Sequence, residues 1–231
     1  MPLPTAASPA ATSVERAYEF LRRVAVEFEL KTGERLNEGE IARRLHMSRA
    51  PVREAMNRLV TQDLLVTVPN QGFSCRRLSA SEVVALYEVR ADLEAGAVER
   101  LAPAAVARAA AELEPMSAAM RRGARKAGLE DLVDQDESFH LRLAELGGNL
   151  ERMGMLGVIN ARIRFVRRIN LEDPRRMKRS LEEHAAIVES LRAGDPAEAS
   201  RRLRRHLALS AEDAAAFVNQ ALTRIYATTT A

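Results

Sequence analysis

Apolar residues in the first part of the chain recur at helical spacing. Val14, Ala17, Tyr18, Leu21, Val24, Ala25 and Phe28 share one face, and Thr12 with Glu15 forms a capping-box pattern ahead of them. Gly33 ends that run. Asn37 followed by Glu40 predicts a second, short helix through about Leu45. Ser48 stands as the cap of a third helix, in which Val52, Ala55, Met56 and Leu59 make the buried stripe. Pro51 falls in its first turn, where the missing N–H is tolerated. The period then changes. Residues 65–68 and 73–76 flank the turn Pro69-Asn70-Gln71-Gly72, which predicts a two-stranded hairpin with a four-residue loop.

Ser79 with Glu82 opens a second region, so a domain boundary is expected near residues 77–79. From there the pattern is helical throughout, with spans expected at about 80–101, 103–125, 128–146, 149–170, 175–193 and 196–226. Pro103 and Pro196 suit first helical positions, Asp195 and Asn149 suit N-caps, and Gly147, Gly148 and Gly194 suit helix ends. Pro115 is expected to kink or split its helix. The fold class is mainly α. A winged helix-turn-helix at 12–77 precedes an antiparallel all-helical bundle of six to seven helices at 78–231. Met1 to Ala11 is rich in Pro, Ala and Ser, and reads as a disordered tail rather than a secretory signal.

Charge sharpens this division. The 231-residue chain has a formal net charge of only +3. Residues 1–77 hold 12 basic and 9 acidic side chains, so the whole excess lies there; the remainder holds 23 of each. A helix-turn-helix places its third helix in the DNA major groove, and Arg49, Ala50, Arg53 and Asn57 occupy the outer face of that helix. Arginine there donates a bidentate pair to guanine or clamps phosphate. One cysteine, Cys75, excludes an intramolecular disulfide and a Cys-rich zinc module. No apolar run reaches ~18 residues, so no membrane span is expected and the reading is a soluble, cytoplasmic protein.

The second region carries three of the four histidines, His140, His184 and His206; the fourth is His46. Asp136 and His140 are spaced i,i+4 and project from one helix face. Asp plus three His drawn from three helices suits a divalent metal ion such as zinc, nickel or manganese. Spacing alone leaves open that each histidine is an ordinary structural residue.

Residues 34–77 resemble the DNA-binding domain of GntR-type bacterial transcription regulators. The segment Ser48-Arg49-Ala50-Pro51-Val52-Arg53-Glu54-Ala55 is the most specific part. The resemblance implies operator contacts at Arg35, Ser48, Arg49, Ala50, Pro51, Arg53 and Gly72. Arg35 would meet phosphate, Arg49 and Arg53 would read bases, and Glu54 would pair with a neighbouring arginine. His46 and Asp63 depart from the family, which usually has glycine there; both residue types tolerate left-handed backbone better than most.

Segments 87–102, 136–149, 182–199 and 204–209 resemble the ligand-binding domain of the FadR subfamily, called FCD. Its metal-dependent members use an Asp and three His, which fall here on Asp136, His140, His184 and His206. Members that bind acyl-CoA lack the full set. The resemblance therefore implies a metabolite-responsive regulator, a repressor by expectation, that binds a palindromic double-stranded DNA operator as a homodimer. The effector would be a small organic acid ligating the metal, with its carboxylate also paired to Arg90 or, less favourably, Arg164. A bundle salt bridge is the other reading for both arginines. The competing functions are a metal-dependent enzyme with an accessory DNA-binding domain and a purely architectural DNA binder. For the enzyme, Glu137 and Glu183 sit next to ligand positions but diverge from them by ~100° around the helix.

Overall fold

The structure is a computed structural model that describes residues 12–26, 32–124 and 126–227. Phe28 and the tail at 1–11 lie outside the described residues. The chain divides into two compact units, with the division between Arg77 and Leu78.

In the first unit α1 (Ser13–Val26), α2 (Glu38–Arg44) and α3 (Arg49–Thr61) precede the hairpin β1 (Leu65–Val68) and β2 (Gly72–Cys75). The Thr12/Glu15 capping box closes reciprocally, with Thr12 N donating to Glu15 Oε2 at 2.7 Å and Glu15 N to Thr12 Oγ1 at 3.2 Å. Asn37 Oδ1 accepts from Gly39 N and Glu40 N and starts α2. Ser48 occupies the N-cap position of α3, but its side chain makes no capping bond. Ala17, Leu21 and Val24 of α1 are buried, as are Val52, Ala55, Met56 and Leu59 of α3, and the two helices pack together.

The hairpin differs from expectation. Val68 pairs with Gly72, so the loop has three residues and Gly72 begins β2. Asn70 at φ 61 and Gly72 at φ 81 supply the left-handed backbone that such a short loop needs. Arg35 adds an isolated bridge to Ser74, flanked by Cys75 N donating to Glu34 O and Leu36 N to Phe73 O. Those bonds stitch the segment before α2 onto the outer edge of the hairpin, which hydrophobic alternation did not signal. Cys75 is buried, and burial pushes its thiol up to about 12, so it stays protonated and inert.

The second unit is a bundle of seven helices among the described residues: α4 (Ala80–Glu99), α5 (Pro103–Gly123), α6 (Leu129–Glu145), α7 (Leu150–Glu172), α8 (Pro174–Arg192), α9 (Pro196–Leu207) and α10 (Ala211–Ala227). α4 packs on α9, α8 on both α5 and α9, and α6 on α7. Ser79, Asn149 and Asp195 cap α4, α7 and α9 through side-chain oxygens. Pro115 does not split α5, because the buried Leu113, Ser117 and Met120 on either side hold the helix together across the lost N–H. The expected helix at 196–226 is two helices. Ala208 turns to extended backbone, and Ser210 with Asp213 forms a new cap, with Asp213 N donating to Ser210 Oγ at 3.0 Å. That break places His206 in the last turn of α9.

Candidate metal centre and nucleic-acid interface

Three bundle helices bring the candidate ligands together. α6 carries Asp136 and His140, α8 carries His184, and α9 carries His206. The amphipathic period that buries Phe139 and Leu143 also buries Asp136 and His140, and Phe139 stacks on the His184 ring at 4.4 Å. The three Nε2 atoms converge. His184 lies 3.2 Å from His140 and 3.1 Å from His206, and His140 lies 3.3 Å from His206. Asp136 stands beside this group, with Oδ1 3.6 Å from His184 Nε2 and Oδ2 3.9 Å from His140 Nε2.

The outer ring nitrogens show why these histidines point inward. His140 Nδ1 is 2.6 Å from Glu94 Oε2 on α4, and His206 Nδ1 is 2.7 Å from Glu183 Oε2 on α8. A carboxylate accepts, so each Nδ1 is the protonated nitrogen and each Nε2 presents a lone pair to the centre. Two lone pairs facing one another at 3.3 Å repel unless a cation stands between them. Nitrogen bonds of ~2.0–2.1 Å to one ion, at angles between octahedral and tetrahedral, reproduce this spacing. The donor set therefore fits a divalent metal ion with imidazole preference.

Electrostatics keeps His140, His184 and Asp136 in the unprotonated form. Burial, then the Arg90 cation, holds His140 well below its usual range. Burial, then His206, lowers His184 to about 3. Burial by itself would raise Asp136, but the facing His140, Arg167 and His184 outweigh it and hold the carboxyl far below the ordinary range. With His140 neutral, the lasting partner is Arg167, whose Nε donates to Asp136 Oδ2 at 2.7 Å. Glu183 sits at about 2: burial opposes, while hydrogen bonds from His206 and Arg179 prevail.

Around the ligands lies a layer that sequence reasoning missed. Glu94 joins two partners, accepting from Arg90 Nε at 2.6 Å through one oxygen and facing His140 through the other. Arg167 also donates to Asn160 Oδ1 at 3.3 Å and to Glu137 at 3.2 Å. Arg90 Nη2, Asn160 Nδ2 and His184 Nδ1 are buried with no hydrogen-bond partner among the described residues. Glu94, Arg167 and Asn160 read in the sequence as ordinary helix residues; only full burial of two carboxylates and two guanidinium groups marks them. Arg164 is engaged by Glu130, Asp134 and Glu137 at 3.2, 2.8 and 3.4 Å.

In the first unit, Arg49 and Ala50 are exposed at the start of α3, with Pro51 half-buried beside them. The Arg49 guanidinium lies across Gly39 of α2, where an added Cβ would meet it at 3.1 Å. Arg53 is exposed and held by Glu38 through two bonds, Nε to Oε2 at 3.0 Å and Nη2 to Oε1 at 3.2 Å. Glu54 makes no ion pair among the described residues, contrary to the expected pairing with a neighbouring arginine; the carboxylate that holds Arg53 is Glu38 on the preceding helix. Arg35 is exposed beside the wing, and the Ser48 hydroxyl is exposed and free of a cap role. An added Cβ at Gly72 would meet nothing within 4 Å, so its backbone faces open space. His46 at φ 51 and Asp63 at φ 58 adopt the left-handed conformation in which glycine is usual. Asp63 is secured by Arg76, whose Nη1 donates to its backbone oxygen at 2.9 Å.

Comparison with known proteins agrees with this architecture. Residues 13–74 match the gntR family of bacterial regulatory proteins, and residues 85–209 match the FCD domain. The Nta operon transcriptional regulator of Aminobacter aminovorans is 35% identical over 88% of this chain and 95% of its own length. The HTH-type transcriptional repressor RspR of Escherichia coli K12 is 24% identical over 90% of this chain and 91% of its own. A GntR transcriptional regulator from Rhodococcus sp. RHA1 superposes with a TM-score of 0.66 at 25% identity, covering 91% of this chain and 99% of that one. The chain is a transcription regulator, not an enzyme, and it belongs to the GntR family, with an FCD domain after its DNA-binding domain.

Proposed function

We propose that this regulator senses a small organic acid through a divalent metal ion held by His140, His184 and His206, with Asp136 as the carboxylate ligand. The observation that carries the reading is the convergence of three Nε2 atoms within 3.3 Å, two of them fixed as acceptors by Glu94 and Glu183. A nitrogen-rich set favours zinc or nickel over manganese. When bound, the ion supplies a Lewis-acidic centre with positions left for oxygen ligands. Arg90 is the protein group best placed to pair with an effector carboxylate, since one of its terminal nitrogens is buried without an acceptor. Arg164, held by three carboxylates, is the weaker of the two.

The DNA-binding half of the proposal assigns Arg49 and Arg53 to bases, Arg35 to phosphate, and Ser48, Ala50, Pro51 and Gly72 to backbone contacts. A homodimer in the cytoplasm would set two such units on a palindromic operator. Effector binding weakens repression if the acid prefers the bundle conformation that holds DNA less well. Among the described residues no helix is long and apolar enough to cross a membrane.

Two measurements test this. Elemental analysis of the purified full chain should find about one divalent ion per chain, lost on His184→Ala or His206→Ala; unchanged metal content in both variants refutes the ligand assignment. A gel shift on DNA upstream of its own gene should show a specific complex that a chelator or a cognate acid alters. No specific complex at moderate salt would count against the operator reading.

A further inference from the structure

We propose that the effector is a dicarboxylic acid, with one carboxylate at the histidine centre and the second against Arg176. This rests on the metal-and-acid reading above and names the substrate class of that site. A cavity of about 170 Å³ has His206 in its lining and also takes in Tyr87, Arg176, Arg179, Ser180 and Glu183. It is smaller than the ~300–1,000 Å³ of sites for drug-sized ligands, so it suits a short acid.

The two arginines in that lining are not equivalent. Arg179 is committed to Glu183 at 2.8 Å, and Glu183 in turn accepts from His206. Arg176 comes no nearer than 3.8 Å to Asp213, beyond hydrogen-bond distance, and its Cζ stands over the Phe217 ring, 4.7 Å from the centroid. Its side-chain N–H groups have no hydrogen-bond acceptor among the described residues. Tyr87, also in the lining, stands beside Arg90, whose Cζ sits 5.7 Å from the Tyr87 ring centroid. Arg90 Nη2 and Asn160 Nδ2 are buried donors without an acceptor. Donors without a protein acceptor thus occur both beside the centre and in the cavity lining: the buried ones need an acceptor, and the partly exposed Arg176 is free to take one.

Charge leads to the same class. Inside the bundle Arg90 is matched by Glu94 and Arg167 by Asp136. In the cavity lining Arg176 and Arg179 are balanced by Asp213 and Glu183. Ligating imidazoles bring no charge. A divalent cation therefore adds two positive charges to a buried setting, where uncompensated charge is costly. A dianion brings one carboxylate to the ion and a second, charged acceptor to Arg176, which has no hydrogen-bonded carboxylate of its own; a monocarboxylate supplies only one of the two.

Calorimetric titration of the metal-loaded full chain with succinate and with butyrate, acids of equal chain length, tests this. Succinate should bind at least about tenfold more tightly, the scale of one charge-assisted hydrogen bond. Arg176→Gln should bring the two acids near parity with metal content unchanged. Equal affinities in the unmodified chain, an undiminished preference in the variant, or no binding by any dicarboxylate of three to six carbons overturns the proposal. Ion content is read on the same samples. A chain without metal that still prefers succinate through Arg176 would refute the metal reading and support the second contact. A chain that keeps its ion and binds both acids equally would do the reverse.

Discussion

Glu94 and His140, 46 positions apart in the chain, meet at 2.6 Å in the middle of the bundle, both buried. The second oxygen of the same carboxylate holds Arg90. One side chain thus sets the tautomer of a candidate metal ligand and the position of the Arg90 guanidinium.

Glu94→Gln should weaken metal binding by about 10–100-fold, the usual cost of losing an outer partner of a ligating histidine. The amide can present its N–H₂ to His140 Nδ1 and so reverse the tautomer. Competition with a chromophoric chelator reads the loss, and an unchanged metal affinity would show that the Glu94 carboxylate does not tune the ligand.

The metal-free protein should lose stability as pH falls below ~6.5. His140 and His184 are held neutral in the fold, His184 down to about 3, whereas in the unfolded chain both take up protons near 6.5. Over that range the unfolded state binds more protons, so stability decreases with acidity. Glu183 adds to the loss in a lower window, from the ordinary carboxylate range down to about 2. Denaturant titrations with chelator at a series of pH values check the slope; a flat profile from pH 6.5 to 5 would contradict it.

Arg49→Ala should cost about 1–3 kcal/mol of specific DNA binding and relax preference at one base position. Arg35→Ala should instead weaken all sequences alike and lower the salt slope by roughly one ion. Fluorescence anisotropy with operator and scrambled DNA at several salt concentrations separates the two roles.

His46→Gly should stabilise the DNA-binding unit. His46 is exposed at φ 51, and left-handed backbone costs a side-chain-bearing residue about 1–2 kcal/mol, against which glycine loses roughly 0.5–1 kcal/mol through the unfolded chain. The net is a rise of a few degrees in the melting temperature of the unit, read by circular dichroism. A fall would mean that the His46 side chain makes a stabilising contact.

Most of the fold was readable because its signals are local. The capping box at Thr12/Glu15, the Ser79 cap of α4, the apolar stripe of α3 and the hairpin turn each depend on residues within a few positions of one another. The break at Ala208–Ser210 was equally local, but the apolar period runs through it and masked the Ser210/Asp213 cap. The one-residue error in the hairpin had the same origin: Asn70 and Gly72 can serve either a three- or a four-residue loop, and only strand pairing selects.

The sequence by itself determined the kinds of element, their order, and which few residues could carry a metal or contact DNA, because periodicity, caps and side-chain chemistry are properties of the chain. Tertiary structure alone decided that His140, His184 and His206 face one another, that Glu94 and Glu183 orient two of them, and that Glu38 rather than Glu54 holds Arg53. Those relationships join residues between 15 and 66 positions apart where a partner is gained. They arise only when packed helices remove the groups from water, and a buried charge or donor must then find its partner in whatever the fold brings near it.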